Sequence, residues 1–239
     1  MNISVLITTY NRSHSLQEIL ADVAAQKLAP DIAWEVIVAD NRSQDDTISV
    51  VEKIAKKFPV ALWYLYEEKP GKSYALNTGI VAAKGEIIAN IDADCLPDPD
   101  WLATGAKHFK NKNVVAVSGP YDYYDTDKFF RHTSLFIQKH IYRAMGHVLQ
   151  LPFIKKGAVL IGGNNFIRAE IINKAGGYNT DLVFYGEDTD TAKRVSKHGY
   201  AVFDPKLTMK TSGRRFRNEG TLSTFARYLF HFVKIIFSK

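Results

Sequence analysis

Residues 85–95, GEIIANIDADC, decide how this chain folds. Ile87, Ile88, Ala89, Ile91 and Ala93 form an almost unbroken apolar run that leads into two aspartates, Asp92 and Asp94, one residue apart. Such a run marks a strand covered on both faces, as in a parallel sheet. Nothing inside that strand can solvate a carboxylate, so both acids belong at its open end. Two hard oxygen donors there suit Mg²⁺ or Mn²⁺, which would in turn neutralise a nucleotide diphosphate. An Asp-x-Asp taken alone is equally an ordinary strand terminus, and the surrounding chain has to decide between the two.

Working outward, the first half alternates apolar strands with helical patterns: ISVLITT and then residues 15–27, WEVIVAD and 46–57, VALWYLYEE and 73–83, EIIANIDAD and 100–110, and finally NVVAVSG. Strand and helix repeated this way predict an α/β fold, a mostly parallel central sheet with helices on both faces. Ligands of such sheets bind at the carboxyl ends of the strands, where Thr8, Asp40, Asp92 and Asp94 fall. The second half is less regular. Residues 120–156 mix aromatic and basic side chains, AVLIGGNNFIRAEIINKAGGY reads as a Gly-rich turn and helix, and YGEDTDTAKRVSKHG as another helix. No repeat or low-complexity linker separates the halves, so the second is expected to complete the first.

A chain of 239 residues, 46% of them hydrophobic, can bury one full core. Its single cysteine, Cys95, cannot form an intrachain disulfide, which suits a reducing, cytosolic setting. MNISVLITTY lacks the basic start and cleavage site of a signal peptide and reads as a strand, and no apolar run approaches the ~20 residues that span a bilayer. The formal charge of +6 is concentrated in residues 214–239, where Arg214, Arg215, Arg217, Arg227, Lys234 and Lys239 face a lone acid, Glu219. A nucleic-acid binder spreads basic and aromatic residues along a groove, and this distribution excludes that class.

The strand ends carry the remaining candidates. TTYNRSHSL after the first strand has no glycine fingerprint, so a dinucleotide cannot approach the backbone there. Asp40 could accept from a ribose hydroxyl or a base N–H. PGKSYALNTG resembles a phosphate loop, but Tyr66 stands where the Walker pattern needs glycine; Lys72 can still reach a diphosphate as a point charge. Glu187, Asp188 and Asp190 open a helix after Gly186, where they serve either as caps favoured by the helix dipole or, for one of them, as a general base.

Taken together and in order, ITTYNR, VIVADNRSQDDT, PGKSYALNTG, IANIDAD, GGNNFIRAEIINKAGGYN and YGEDTDTAKRV resemble the motif series of family-2 glycosyltransferases with the GT-A fold, over residues 2–205. The resemblance implies an inverting transferase that moves a sugar from a nucleoside diphosphate sugar, UDP-sugars favoured, to a hydroxyl in surface polysaccharide or glycolipid synthesis. It implies that Thr8, Tyr10 and Asp40 hold the nucleoside and that Lys72 approaches the diphosphate. Asp92 and Asp94 would bind donor and metal, Mn²⁺ or Mg²⁺, with Asp94 the principal ligand. Asp188 would be the base, Glu187 would support the acceptor site, and Gly163 and Asn164 would contact the acceptor. The corresponding organisation is a GT-A domain at 1–213, divided into a nucleotide-sugar half (1–118) and an acceptor half (119–213), with a basic tail at 214–239.

Two features depart from the family pattern. Thr8 stands where many members have proline, and LTMKTSGRRFRNEG lacks the late histidine that helps many members bind metal. Arg214 or Arg215 is expected to clamp the donor diphosphate instead, because a guanidinium fork suits phosphate; a plain basic surface loop is the alternative. In FARYLFHFVKIIF, residues 225–237, Arg227, His231 and Lys234 share one helical face. This cationic amphipathic helix either lies on an anionic membrane, which would place the enzyme peripherally at the cytoplasmic face, or docks on the core or a partner. The rival functions are a nucleotidyltransferase, which should carry a Gly-rich basic loop after its first strand, and a noncatalytic sugar-nucleotide or glycan-binding subunit, which has no need of a base.

Overall fold

The computed structural model describes residues 1–182 and 186–238. Four parallel strands carry the first half: β1 (Asn2–Thr9), β2 (Ala33–Asp40), β3 (Leu62–Tyr66) and β4 (Ile87–Asp92). Helices α1 (Ser13–Ala24), α2 (Thr47–Ala55) and α3 (Lys72–Ala82) connect them. Side chains alternate between the sheet faces with the strand period of two. Ile3, Val5, Ile7, Val36, Val38, Ile87, Ala89 and Ile91 enter one buried cluster with α1, while Leu6, Ile37, Ala39 and Ile88 enter another with α3. Both faces are therefore apolar, which is why these strands read as continuous hydrophobic runs.

The predicted α/β sheet is present, with one insertion that the motifs do not announce. Its order is β3-β2-β1-β4-β8-β6-β9, completed by β6 (Val114–Ser118), β8 (Asn164–Arg168) and β9 (Tyr200–Phe203). Strand β8 runs antiparallel to both β4 and β6, so the stretch read as a Gly-rich turn supplies a central strand. A second sheet joins β5 (Cys95–Pro97), β10 (Met209–Thr211) and β7 (Tyr121–Tyr123). The run EIIANIDAD thus divides, with β4 ending at Asp92 and a turn at Ala93 and Asp94 leading into β5.

Helix α4 (Trp101–Ala106) buries Trp101 against Phe166 of β8, their ring centroids 4.5 Å apart. Residues 128–149 form one long helical segment: α5 (Lys128–Ile137), a π-helical turn at Gln138–Tyr142, and α6 (Arg143–Leu149). After α7 (Ala169–Lys174) and α8 (Glu187–Val195), the chain ends in α9 (Arg214–Glu219) and α10 (Thr221–Phe237). At 17 residues α10 is longer than the predicted helix, and it packs on the domain: Ile236 is fully buried, and Lys193 donates to the Ile235 carbonyl at 2.9 Å. No helix among the described residues is long and apolar enough to cross a membrane.

Candidate active site

Strand register gathers the predicted acids. Thr8 of β1 lies opposite Asp92 of β4, and Thr9 lies opposite Asp40 of β2, so one end of the sheet presents all of them. The Thr8 hydroxyl stands 3.5 Å from Asp92 Oδ1. Next to them Asn11, at φ 50°, ties the first loop to the second: its N–H donates to Ser43 Oγ and its Oδ1 accepts from Gln44 N–H. Tyr10 projects from this loop into solvent. Asp40 is almost fully buried and accepts from the Ser43 N–H, the Ser43 hydroxyl and the Tyr64 hydroxyl.

Lys72 begins α3. Gly71 precedes it at φ 134°, a conformation that suits glycine, and its N–H donates to Asn41 Oδ1 at 2.7 Å. The Lys72 ammonium reaches across to Asp92, 2.7 Å from Oδ1 and 2.9 Å from Oδ2, and lies 3.6 Å from Glu187 Oε1. Burial opposes its charge, but Asp92 and Glu187 outweigh burial and keep it protonated.

The loop before β8 meets the first turn of α8 beside Lys72 and Asp92. A Cβ added to Gly162 would lie 3.3 Å from Lys72 Nζ, 3.8 Å from Glu187 Oε1 and 4.0 Å from Asp188 Cβ. One added to Gly163 would fall 2.7 Å from Asp92 Cγ and 2.6 Å from the Tyr121 hydroxyl, closer than real contacts permit. The two glycines floor a space edged by Asp92, Lys72, Glu187 and Asp188. Tyr121 holds this floor by accepting the Gly163 N–H at 2.8 Å, and Asn165 holds it by donating to the Ile161 and Gly162 carbonyls.

Asp188 sits in the first turn of α8, where its Oδ1 accepts the Thr189 N–H at 2.7 Å. Burial, and then the charge of Glu187 beside it, push its pKa up to about 7, which suits a carboxylate that accepts a proton near neutrality. Asp190, the third acid of the cluster, pairs with Arg194 one turn on and is a helix-surface ion pair.

Asp94 faces the other side of the sheet end. Register in the small sheet sets Thr211 opposite Cys95 and Tyr123, which carries the following turn to Asp94, and Arg214 Nη2 pairs with Asp94 Oδ2 at 2.9 Å. Burial, and then the charge of Asp92, raise the Asp94 pKa, against the opposing charges of Arg214, Lys72 and Arg12. A cleft of about 320 Å³ opens beside it, lined by Arg12, Ser13, Asp45, Asp94, Tyr124 and Arg214. Arg12 is held below its ordinary pKa by burial and by Arg214, so two guanidiniums are crowded at one cleft.

Among the described residues no group of three His, Cys, Asp or Glu side chains is arranged to enclose a metal. The Asp92–Asp94 pair fits an ion of the Mg²⁺ or Mn²⁺ kind, which needs one or two carboxylates and fills its shell with water and phosphate oxygens.

Two expected residues lie elsewhere. Asn164 is fully buried, its Oδ1 accepting from Trp101 Nε1 and its Nδ2 donating to the Pro120 and Leu207 carbonyls, so its amide locks β8 into the core and does not line the cleft. Arg215 turns away from Asp94 and donates to the Tyr228 hydroxyl, its guanidinium 5.9 Å from that ring. Conversely, Arg12, Tyr121 and Gly162 are brought to the site without having been predicted. Arg12 stands in the TTYNR stretch, and Gly162 adjoins the predicted Gly163; Tyr121 has no local signal, since its role depends on the distant β8 loop.

The seven-stranded, mostly parallel sheet flanked by helices, with acids at one strand end, is an architecture shared with solved GT-A glycosyltransferases. Residues 4–176 match the family model described as glycosyl transferase family 2, and the chain belongs to that family. It is 28% identical over 200 residues to glycosyltransferase AglE of Haloferax volcanii, a match covering 84% of this chain and 63% of the relative. It is 35% identical over 137 residues to the chondroitin synthase of Escherichia coli, 56% of this chain and 19% of the relative. Among solved structures, mannosyltransferase PcManGT from Pyrobaculum calidifontis, in complex with GDP-Man and Mn²⁺, superposes with a TM-score of 0.77 at 27% identity, covering 99% of this chain and 64% of that one. S. aureus TarS in complex with UDP-GlcNAc shares the fold at a TM-score of 0.64 and 18% identity, covering 90% of this chain and 59% of that one. The chain spans less than two thirds of the length of each of these relatives. Family membership sets the nucleotidyltransferase alternative aside.

Proposed function

We propose that this protein transfers a sugar from a nucleoside diphosphate sugar to an acceptor hydroxyl with inversion at the anomeric carbon. The observation that carries this reading is the shared glycine floor: Asp92 and Lys72 on the donor side, and Glu187 and Asp188 on the acceptor side, all border Gly162 and Gly163. A donor seated at the strand ends would place its nucleoside near Thr8, Tyr10 and Asp40 and its diphosphate among Lys72, Arg12 and Arg214. Asp188 would take the proton of the acceptor hydroxyl as its oxygen attacks the anomeric carbon and the bond to the diphosphate breaks on the opposite side. Burial, and then the charge of Glu187, keep Asp188 basic, and Glu187 would orient the acceptor. Asp94, with Asp92, would hold Mn²⁺ or Mg²⁺, whose charge stabilises a departing diphosphate. Lys72, which pairs with Asp92, and Arg214, which pairs with Asp94, would each exchange its carboxylate for phosphate oxygens of the leaving group.

UDP-sugars are the donors expected, and GDP-sugars are tested beside them because the PcManGT structure holds GDP-Man. The acceptor is a growing glycan or a lipid-linked intermediate, and α10 contacts the cytoplasmic face of a membrane peripherally. Thermal shift across UDP-, GDP-, dTDP- and CMP-sugars, with and without Mn²⁺, tests the donor half of the reading. One nucleotide should raise the melting temperature only with metal, and Asp94→Asn should abolish that rise. A hundredfold excess of donor over its dissociation constant stabilises by ~2.7 kcal/mol, so a true donor stands out. No shift with any donor would favour the noncatalytic alternative.

A further inference from the structure

Residues 128–156 contain Lys128, Arg131, Lys139, Arg143, Lys155 and Lys156 and not one Asp or Glu. Residues 220–239 contain Arg227, Lys234 and Lys239, again with no acid. These two segments together hold more positive charge than the net +6 of the whole chain, so the remainder is net acidic.

The same segments expose large apolar side chains. On α10, Leu222 (86% exposed), Leu229, Phe230, Val233 and Phe237 follow the 3.6-residue repeat and form one stripe, with the buried Ile236 at its edge and the buried Thr224 on the far side. On the long helical segment and the turn after it, Phe129 and Phe153 (each 82% exposed), Phe136, Ile141 and Val148 are also uncovered. Soluble proteins seldom display so many large apolar groups together without a partner for them.

The two helical layers adjoin. Phe130 of α5 and Phe225 of α10 have ring centroids 6.2 Å apart; Tyr142, Met145 and Leu149 share a buried cluster with Phe232 and Ile236; and Lys156 lies over the Phe237 ring. The two segments therefore meet along these side chains. The joint runs beside the candidate base: a Cβ at Gly186, two residues before Asp188, would fall 2.3 Å from Ile235 Cδ1, and the charge of Asp188 is felt at Tyr142 in the π-helical turn.

We propose that α5, α6 and the turn at 151–156 join α10 in one surface that seats on an anionic lipid bilayer, so that the acceptor side of the cleft opens at the membrane. Arg131 and Arg227 are paired with Asp122 and Glu219, while apolar side chains beside Lys128, Lys139, Arg143, Lys155, Lys156 and Lys234 match the acyl boundary and the phosphate headgroups of such a bilayer. A second copy of the chain fits less well, because a symmetric contact would bring each set of cations against its own kind. The surface extends the expected tail contact to a part of the chain that no family motif covers. It rests on the glycosyltransferase reading only in that the acceptor reaching Asp188 would be lipid-linked.

The test is sedimentation of the full chain with phosphatidylcholine vesicles, with and without phosphatidylglycerol. Wild type should pellet with the anionic vesicles, less so as salt rises. Phe129→Ser with Phe136→Ser, leaving α10 intact, should weaken binding roughly tenfold, and so should Leu229→Ser with Phe230→Ser. Melting curves and the donor-induced thermal shift should be unchanged in both pairs, since these side chains contact neither core nor cleft. Undiminished pelleting of the α5 pair would overturn the proposal and leave the tail acting alone. Failure of wild type to pellet, or a dimer in solution that either pair converts to monomer, would also overturn it. Absence of any donor shift in a wild type that still pellets would instead strike the glycosyltransferase reading.

Discussion

In the proposed reaction Asp188 is the base and Gly163 belongs to the floor between donor and acceptor. With its pKa raised to about 7, Asp188 is ionised, and able to accept a proton, only above neutrality. Turnover at saturating donor should rise with pH through about 7 and then level; a flat profile from about pH 5 to 8 would exclude this carboxylate as the base. The sign for stability is opposite. Because the folded pKa lies above the unfolded value, stability is fully present below the unfolded pKa and is lost as pH rises toward 7. Asp188→Asn escapes that loss, so urea melts should show it gaining about 1–3 kcal/mol on wild type at about pH 8 and nothing near pH 4. Gly163→Ala would push a methyl group into Asp92 and Tyr121; it should cost about 1–3 kcal/mol and weaken donor binding, measured by melting and by calorimetry. Asp92 and Asp94 were legible in the sequence because acids that end an apolar run have few other places to go, whereas Asp188 read locally as a helix cap as much as a base and was singled out only by the family resemblance. Asn164 was not legible, because its burial is decided by the strand it joins and not by its neighbours in GGNN.

At the scale of elements, β1 to β4 could be read directly, since burial on both faces writes itself as unbroken apolar runs. Strand β8 escaped that reading. It enters the sheet antiparallel after more than forty intervening residues, and pairing at such range leaves no local periodicity. The long helix at 128–149 escaped a single reading because a π-helical turn at Gln138–Tyr142 shifts its 3.6-residue repeat midway. The choice between Arg214 and Arg215 was likewise beyond a local reading, and the step from β10 into α9 settles which of them meets Asp94. Arg214→Ala should raise the donor KM roughly ten- to a hundredfold, the size of a lost charge-assisted hydrogen bond, and Arg215→Ala should change it less than about twofold. Equal effects of the two substitutions would contradict a clamp formed by Arg214 alone.

The whole molecule divides its labour between the two sides of one sheet end. Lys72 and Asp92 stand between the glycine floor and the strand ends, Arg12 and Arg214 crowd the cleft at Asp94, and the basic, apolar helices flank Asp188. Chelation by EDTA should abolish turnover and the donor-induced thermal shift together, and added Mn²⁺ should restore both; donor stabilisation that survives chelation would assign the diphosphate to Lys72 and the arginines without metal. The most direct measurement is nucleotide release by Asp188→Asn, taken beside its donor affinity with the donor that stabilises wild type. Donor binding should be kept within about threefold while turnover falls roughly a thousandfold, the loss expected when a general base is removed. Turnover close to wild type in a variant that binds donor normally would contradict the placement of the base at Asp188.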